Sequence, residues 1–226
     1  MTDVATPRQA NRIRLSALLL IPAPIVALAI IIAVAGAPTL WPLLIGAAGW
    51  LVALVLRQPV ALIASKKFSQ EGAAKLVGWC SGPAEEIVRV VLVLLAVHTL
   101  QDATWFGYGW ATVEVLIVAV NMLALASIIT KDDPKSREAR ELLEAQGMPN
   151  TSPVWGMVER FSAVALHMGF TFLLFANPWL VLVTLPAHSV VNMLAVKFGR
   201  THIVATEICL AVAGAVSLTA GLLLLA

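Results

Sequence analysis

Six acidic side chains, Glu85, Glu86, Asp102, Glu114, Glu159 and Glu207, stand in or at the edge of stretches that are otherwise apolar. Arg89, Arg160, His98, His167, His188 and Asn192 share those stretches. In the run Ser81-Gly82-Pro83-Ala84-Glu85-Glu86-Ile87-Val88-Arg89, Arg89 lies four residues after Glu85 and three after Glu86. On a helix either spacing lets the guanidinium pair with the carboxylate. Adjacent residues point about 100° apart on a helix of 3.6 residues per turn, so Arg89 can hold one glutamate while the other faces a cavity. Arg160, Val164 and His167 follow the i, i+4, i+7 spacing of one helix face, and His188 and Asn192 are i, i+4.

One chemistry uses this set. A carboxylate acts as general base toward water, a histidine shares the proton, and a His188–Asn192 pair donates to a developing oxyanion. That is hydrolysis of a peptide bond without a nucleophilic side chain. The chain has no Gly-x-Ser-x-Gly and no His-Glu-x-x-His. A zinc site built from Glu85 or Glu86 with His167 and His188 is the stereochemical alternative, although no two histidines share a ligand-spaced motif. The expected chemistry needs no metal or other cofactor. Glu114, in Trp110-Ala-Thr-Val-Glu114, has no local partner; it is expected toward the outer side, paired with another helix or protonated.

The elements that position these residues must be membrane helices. Of the 226 residues, 60% are hydrophobic and 12% charged, with mean hydropathy +0.90. A soluble domain carries about 25% charged residues. This composition excludes an ordinary soluble enzyme, a disordered chain and a disulfide scaffold. The net charge of +2 and the lack of a basic stripe argue against nucleic acid as a partner. Hydropathy predicts an all-α bundle of seven spans, over 15–36, 40–62, 80–100, 107–130, 153–176, 178–196 and 203–225, forming one integral membrane domain over 1–226. Each is near the ~20 residues that cross ~30 Å of hydrocarbon. Arg57-Gln58-Pro59 is expected to interrupt the second span, leaving 60–79 partly along the interface with Lys66, Lys67 and Lys75 at lipid headgroups. The first span exceeds a signal-peptide core and is read as retained. Pro83 is expected in the first turn of the third span, where its missing N–H costs nothing.

With a cytoplasmic N-terminus, every Lys and Arg except the intraspan Arg89 and Arg160 falls on the inner side. Trp41, Trp105, Trp110 and Trp179 then mark outer ends and Trp79 and Trp155 inner ends, with only Trp50 mid-span. The hydrophilic stretch 131–152 mixes Lys131, Asp132, Asp133, Lys135, Arg137, Glu138, Arg140, Glu141 and Glu144; Ser136 to Gln146 reads as a short solvated helix ended by Gly147, with no site. Cys80 and Cys209 read as small buried hydrophobes.

Taken together, Glu85-Glu86-x-x-Arg89, Glu159-Arg160 with His167, and His188-x-x-x-Asn192 resemble the motifs of the glutamic-type intramembrane proteases. The likeness is to the YhfC-like branch, related to the CAAX prenyl endopeptidase and bacteriocin-processing family. Gly107-Tyr-Gly-Trp-Ala-Thr-Val-Glu114 is similar to the Gly-rich, Glu-ending motif of that branch. The resemblance covers about residues 80–196 and implies a glutamate-activated water and a His/Asn oxyanion site in a helical bundle. On that implication Glu85, Glu86, His167, His188 and Asn192 are catalytic, and Arg89, Glu114, Glu159 and Arg160 support them. The CAAX-type pattern has three residues between the glutamate pair and the arginine, and this chain has two, which leaves both glutamates as candidates for the base. The expected activity is endopeptidase action on a protein or peptide in or at the cell membrane, with lipid as the other partner. The alternatives are a non-catalytic membrane protein that uses the same network for assembly or partner binding, and a small proton-coupled transporter.

Overall fold

The computed structural model describes residues 7–131, 133–145, 152–199 and 201–226. Asp132, Gln146, Gly147 and Arg200, and the side chains of Lys135 and Glu144, lie outside the described residues. The helices are α1 (Pro7–Leu19), α2 (Pro22–Ala35), α3 (Leu40–Lys67), α4 (Gln70–Ala96), α5 (Leu100–Ile128), α6 (Pro134–Ala145), α7 (Pro153–Ala176), α8 (Val181–Phe198) and α9 (Ile203–Leu225), with a 3₁₀ turn at Pro178–Leu180. No strand occurs among the described residues.

Six stretches are long and apolar enough to cross a membrane: Arg8–Ala35, Leu40–Lys67, Leu100–Ile128, Pro153–Ala176, Pro178–Phe198 and Ile203–Leu225. Outside this set are the short α6 and the long α4, which has 27 residues but carries Glu85, Glu86 and Arg89 within little more than one turn. Those charges face inward, at 2%, 0% and 0% exposure, while Val34, Leu95, Leu182 and Leu223 are more than two-thirds exposed. Polar inside and apolar outside is the distribution that hydrocarbon selects, and it marks an integral membrane protein.

Several helix boundaries differ from those the sequence suggests. The first span is two helices, because Pro22 and Pro24 lack the N–H groups that would carry the ladder past Leu20 and Ile21. There the backbone tightens to Leu20 N–Ala17 O and Ile21 N–Leu18 O bonds of 3.3 and 3.2 Å. By contrast α3 runs unbroken through Pro59 to Lys67, and α4 begins at Gln70, so 60–79 belongs to two long helices and not to an interfacial segment. Ser69 caps α4, accepting from Gly72 N at 3.3 Å. Pro83 therefore lies deep inside α4, not in its first turn. The carbonyl it deprives of a partner, Trp79 O, accepts instead from Ser189 Oγ on α8 at 2.8 Å.

A reciprocal capping box starts α5: Asp102 N donates to Thr99 Oγ1 at 3.0 Å, and Asp102 Oδ2 accepts from Thr99 N at 3.1 Å. Asp102 and the exposed His98 are thus end-of-helix residues. Because α5 starts at Leu100, Glu114 is central in the helix and not toward its outer end. Trp105 and Trp110 are fully buried core residues and form no belt, whereas Trp41, Trp79 and Trp179 are exposed as expected. Cys80 is half-buried, and Cys209 is on an exposed, otherwise apolar face of α9 rather than in the core. Within 131–152, α6 forms; its Arg140 is buried and not solvated, donating to Ile129 O and Lys131 O at 2.9 Å each.

Small residues let the helix backbones meet. A Cβ on Gly46 would stand 2.0 Å from Phe106 O, and one on Gly82 would stand 2.2 Å from Ser189 Oγ and 2.4 Å from Leu185 O. The pairs Gly49–Leu92 and Arg57–Glu85 set α4 antiparallel to α3, and Gly78–Met193 with Gly82–Ser189 set it antiparallel to α8. Thus α4 runs through the bundle with α3 and α8 on its flanks, and α7 against its polar turn.

Candidate active site

On α4 the i, i+3 pairing is realised: Arg89 Nε lies 3.2 Å from Glu86 Oε1. The same oxygen meets His188 Nδ1 of α8 at 2.8 Å. A carboxylate oxygen only accepts here, so Nδ1 carries the hydrogen and a neutral His188 leaves Nε2 as an acceptor. Arg89 also reaches α7, donating through Nη1 to His167 O at 3.0 Å and Thr171 Oγ1 at 3.1 Å, and through Nη2 to His167 Nδ1 at 2.8 Å. Its guanidinium stacks 4.3 Å above the Trp110 ring.

Arginine is always a donor, so His167 Nδ1 must accept and His167 Nε2 must carry the hydrogen. That hydrogen goes to Glu114 Oε2 at 2.6 Å. Glu114 also accepts from Arg160 Nη1 at 2.9 Å and Trp50 Nε1 at 3.1 Å. Pairing with other helices, not with its own, is therefore how Glu114 is satisfied. Arg160 pairs in turn with Glu159. Arg160, Val164 and His167 are all buried, as their common face requires.

Glu85 has different neighbours. Its Oε1 is 3.0 Å from Arg57 Nη1 of α3, and its Oε2 accepts from Trp110 Nε1 at 3.4 Å. Oε2 also lies 3.9 Å from His188 Nε2, the free nitrogen of that ring. A cavity of about 330 Å³ opens here, with Arg57, Glu85, Glu114, His167, His188 and Asn192 among its walls. Glu86 and Arg89, with no exposed surface, stand behind that wall.

His188 and Asn192 have separate protein partners. Asn192 Nδ2 donates to Ser81 Oγ at 2.6 Å, and His188 is turned to Glu86. Both residues nonetheless line the cavity, one helical turn apart. Glu207 is buried on α9 within electrostatic reach of Glu159 and Arg160, apart from the Glu85–His188 pair.

Sequence reasoning missed Arg57, Trp50, Trp110, Thr171 and Ser81 as site residues. In the sequence Arg57 reads as a loop cation because Gln58-Pro59 reads as a helix break. Trp50 had one signal, as the sole mid-span tryptophan, and Thr171 follows His167 by one turn.

Candidate ligand atoms of Glu85, His167 and His188 lie within 4.8 Å of one another, the grouping a zinc ion would need. His167 does not fit as a ligand. Metal at its Nε2 would move the ring hydrogen to Nδ1, directly against the Arg89 donor. His188 Nε2 and Glu85 alone fall short of a closed site. No family model, no curated protein and no solved structure matches this chain.

Proposed function

We propose that the chain is a glutamate-dependent intramembrane endopeptidase of the cell membrane, akin to the YhfC-like branch, acting without a metal. The observation that carries this reading is the pair Glu85 Oε2 and His188 Nε2, 3.9 Å apart on a cavity wall and both acceptors when His188 is neutral. One water at about 2.8 Å from each fits between them with a hydrogen toward each acceptor. Glu85 takes a proton as the water oxygen bonds to the scissile carbonyl carbon and the C=O pair moves onto oxygen. Asn192, on the same wall, donates to that oxyanion. Collapse re-forms C=O and breaks C–N, and the proton that Glu85 took passes through His188 to the leaving nitrogen, which restores the Glu85 carboxylate. Glu86 is the orienting group: it fixes the His188 tautomer through Nδ1, as a buried carboxylate does for histidine in hydrolase triads.

The same reading takes α4 as a seventh span and places the N-terminus in the cytoplasm. Its support is the antiparallel run of α4 between α3 and α8, and the confinement of Lys and Arg, apart from the site residues Arg57, Arg89 and Arg160, to one end of the predicted spans. The substrate is a peptide segment in or at the membrane.

The test is cleavage of a mixture of synthetic single-span peptides in proteoliposomes prepared in ¹⁸O-water. Wild type is expected to place one ¹⁸O in each new carboxyl group, and Glu85→Gln to lose about 10²–10⁴-fold in rate. Equal cleavage by Glu85→Gln sinks the reading. A second reading, a polar network for assembly alone, is favoured by the way Arg89 ties α4 to the α7 backbone. It predicts no cleavage product at any enzyme concentration.

A further inference from the structure

The assignment of the base leaves a charge to be placed. When Glu85 accepts a proton from water, its negative charge disappears and an equal charge appears on the carbonyl oxygen of the substrate, a few ångströms away. A group that already neutralises Glu85 is in place to neutralise that oxyanion. Arg57 is such a group. Its Nη1 pairs with Glu85 Oε1 at 3.0 Å, it lines the cavity, and its side chain is 16% exposed. Its Nε is buried and makes no hydrogen bond, so one N–H of this cation has no acceptor in the resting protein. A buried unpaired donor costs free energy, and a turn of the guanidinium toward an oxyanion in the cavity gives Nε an acceptor only during reaction. Asn192, the other donor on this wall, spends one of its two amide hydrogens on Ser81 and has one left for the oxyanion.

We infer that Arg57 is a catalytic residue of the hydrolysis proposed above, on which this inference rests: its guanidinium hands over from Glu85 to the oxyanion as the charge moves. The attacking water forms the C–O bond, its proton goes to Glu85, and the carbonyl π pair becomes the oxyanion held by Arg57. When C=O re-forms and C–N breaks, Arg57 returns to the deprotonated Glu85. The Trp50 ring, 5.9 Å from the guanidinium carbon, forms one side of the slot in which this exchange takes place.

The experiment compares wild type, Arg57→Gln and Arg57→Lys in proteoliposomes, with a peptide that the wild type cleaves and a phosphinate analogue of it that mimics the tetrahedral anion. Arg57→Gln is expected to lose about 10²–10³-fold in kcat with KM little changed. The phosphinate should weaken by a similar factor while the substrate does not. Arg57→Lys keeps a charge beside Glu85 but lacks the Nε donor, and is expected to fall between. Thermal melting in detergent reports folding. Should Arg57→Gln melt below the assay temperature, the lysine variant decides, and wild-type kcat in it overturns the assignment. So does an effect on KM alone, or unchanged phosphinate binding. A wild-type protein that cleaves no peptide removes the hydrolase reading together with Arg57's role. Cleavage by wild type with undiminished Arg57→Gln removes Arg57 alone.

Discussion

Glu85 and Glu86 are one residue apart and occupy opposite kinds of surroundings. Glu86, at 0% exposure, gives one oxygen to two donors, Arg89 and His188, behind the cavity wall. Glu85 faces the cavity and shares its oxygens between Arg57 and Trp110. The 100° between successive helix positions is the whole cause of the split. Behind the wall, Arg89 joins α4 to the α7 backbone, to Thr171 and to the His167 ring. On the cavity side, Glu85 and its partner Arg57 border an open space. The contrast teaches that a buried carboxylate is not by itself a reactive one: the sealed side fixes geometry, and the open side has room for a reactant.

Removing the sealed side's hub should do the most damage. Arg89→Leu leaves Glu86 a buried charge without its cation, and breaking such a pair costs about 3–5 kcal/mol. Melting in detergent should fall sharply and activity should go with it; a well-folded Arg89→Leu protein would erase the distinction drawn above. Glu85→Gln should do the converse, with cleavage lost and melting close to wild type, because the amide oxygen still accepts from Arg57. A Glu86→Gln variant that loses activity at normal stability, with Glu85→Gln active, would swap the two roles. Next in size is Gly82→Ala, whose methyl group would stand 2.2 Å from Ser189 Oγ. Overpacking of this kind costs about 1–3 kcal/mol, read as a lower melting temperature. The smallest effect belongs to Ser189→Ala, which strips Trp79 O of its donor. Hydrogen bonds between membrane helices average about 0.6 kcal/mol, so the melting shift should be just measurable, and a shift as large as that of Arg89→Leu would contradict this ranking.

The helical, membrane-embedded character of the chain was legible because hydrocarbon imposes it residue by residue. Glu85, Glu86, Arg89, Glu114, Arg160, His167 and His188 were legible as a set because ionisable groups at such depth must find one another. What was not legible follows from the same physics. Whether Pro59 and Pro83 end a helix depends on partners from elsewhere in the fold, and Ser189 supplies one for Trp79 O only once α8 is in place. Arg57 looked like a loop cation because its partner, Glu85, is on another helix. The His188–Asn192 pair was correctly set on one face, but their hydrogen-bond partners belong to α4, and spacing within α8 carries no information about Glu86 or Ser81.

The gap at Pro83 has a mechanical side. A helix closed by its own ladder carries each residue as a stiff rod does. Two residues before Glu85, α4 lacks that closure, and the carbonyl concerned is fastened to Ser189 on α8 instead. The aim of Glu85 is therefore set by two helices and not by one. α8 also carries His188, the other half of the pair proposed to hold the water, one residue before the serine that fastens α4. A sideways displacement of α8, such as a bulky segment entering between helices would cause, pulls on both halves at once through adjacent residues. Alignment is thus carried along with the moving wall, much as a sight fixed to the barrel stays true when the barrel swings.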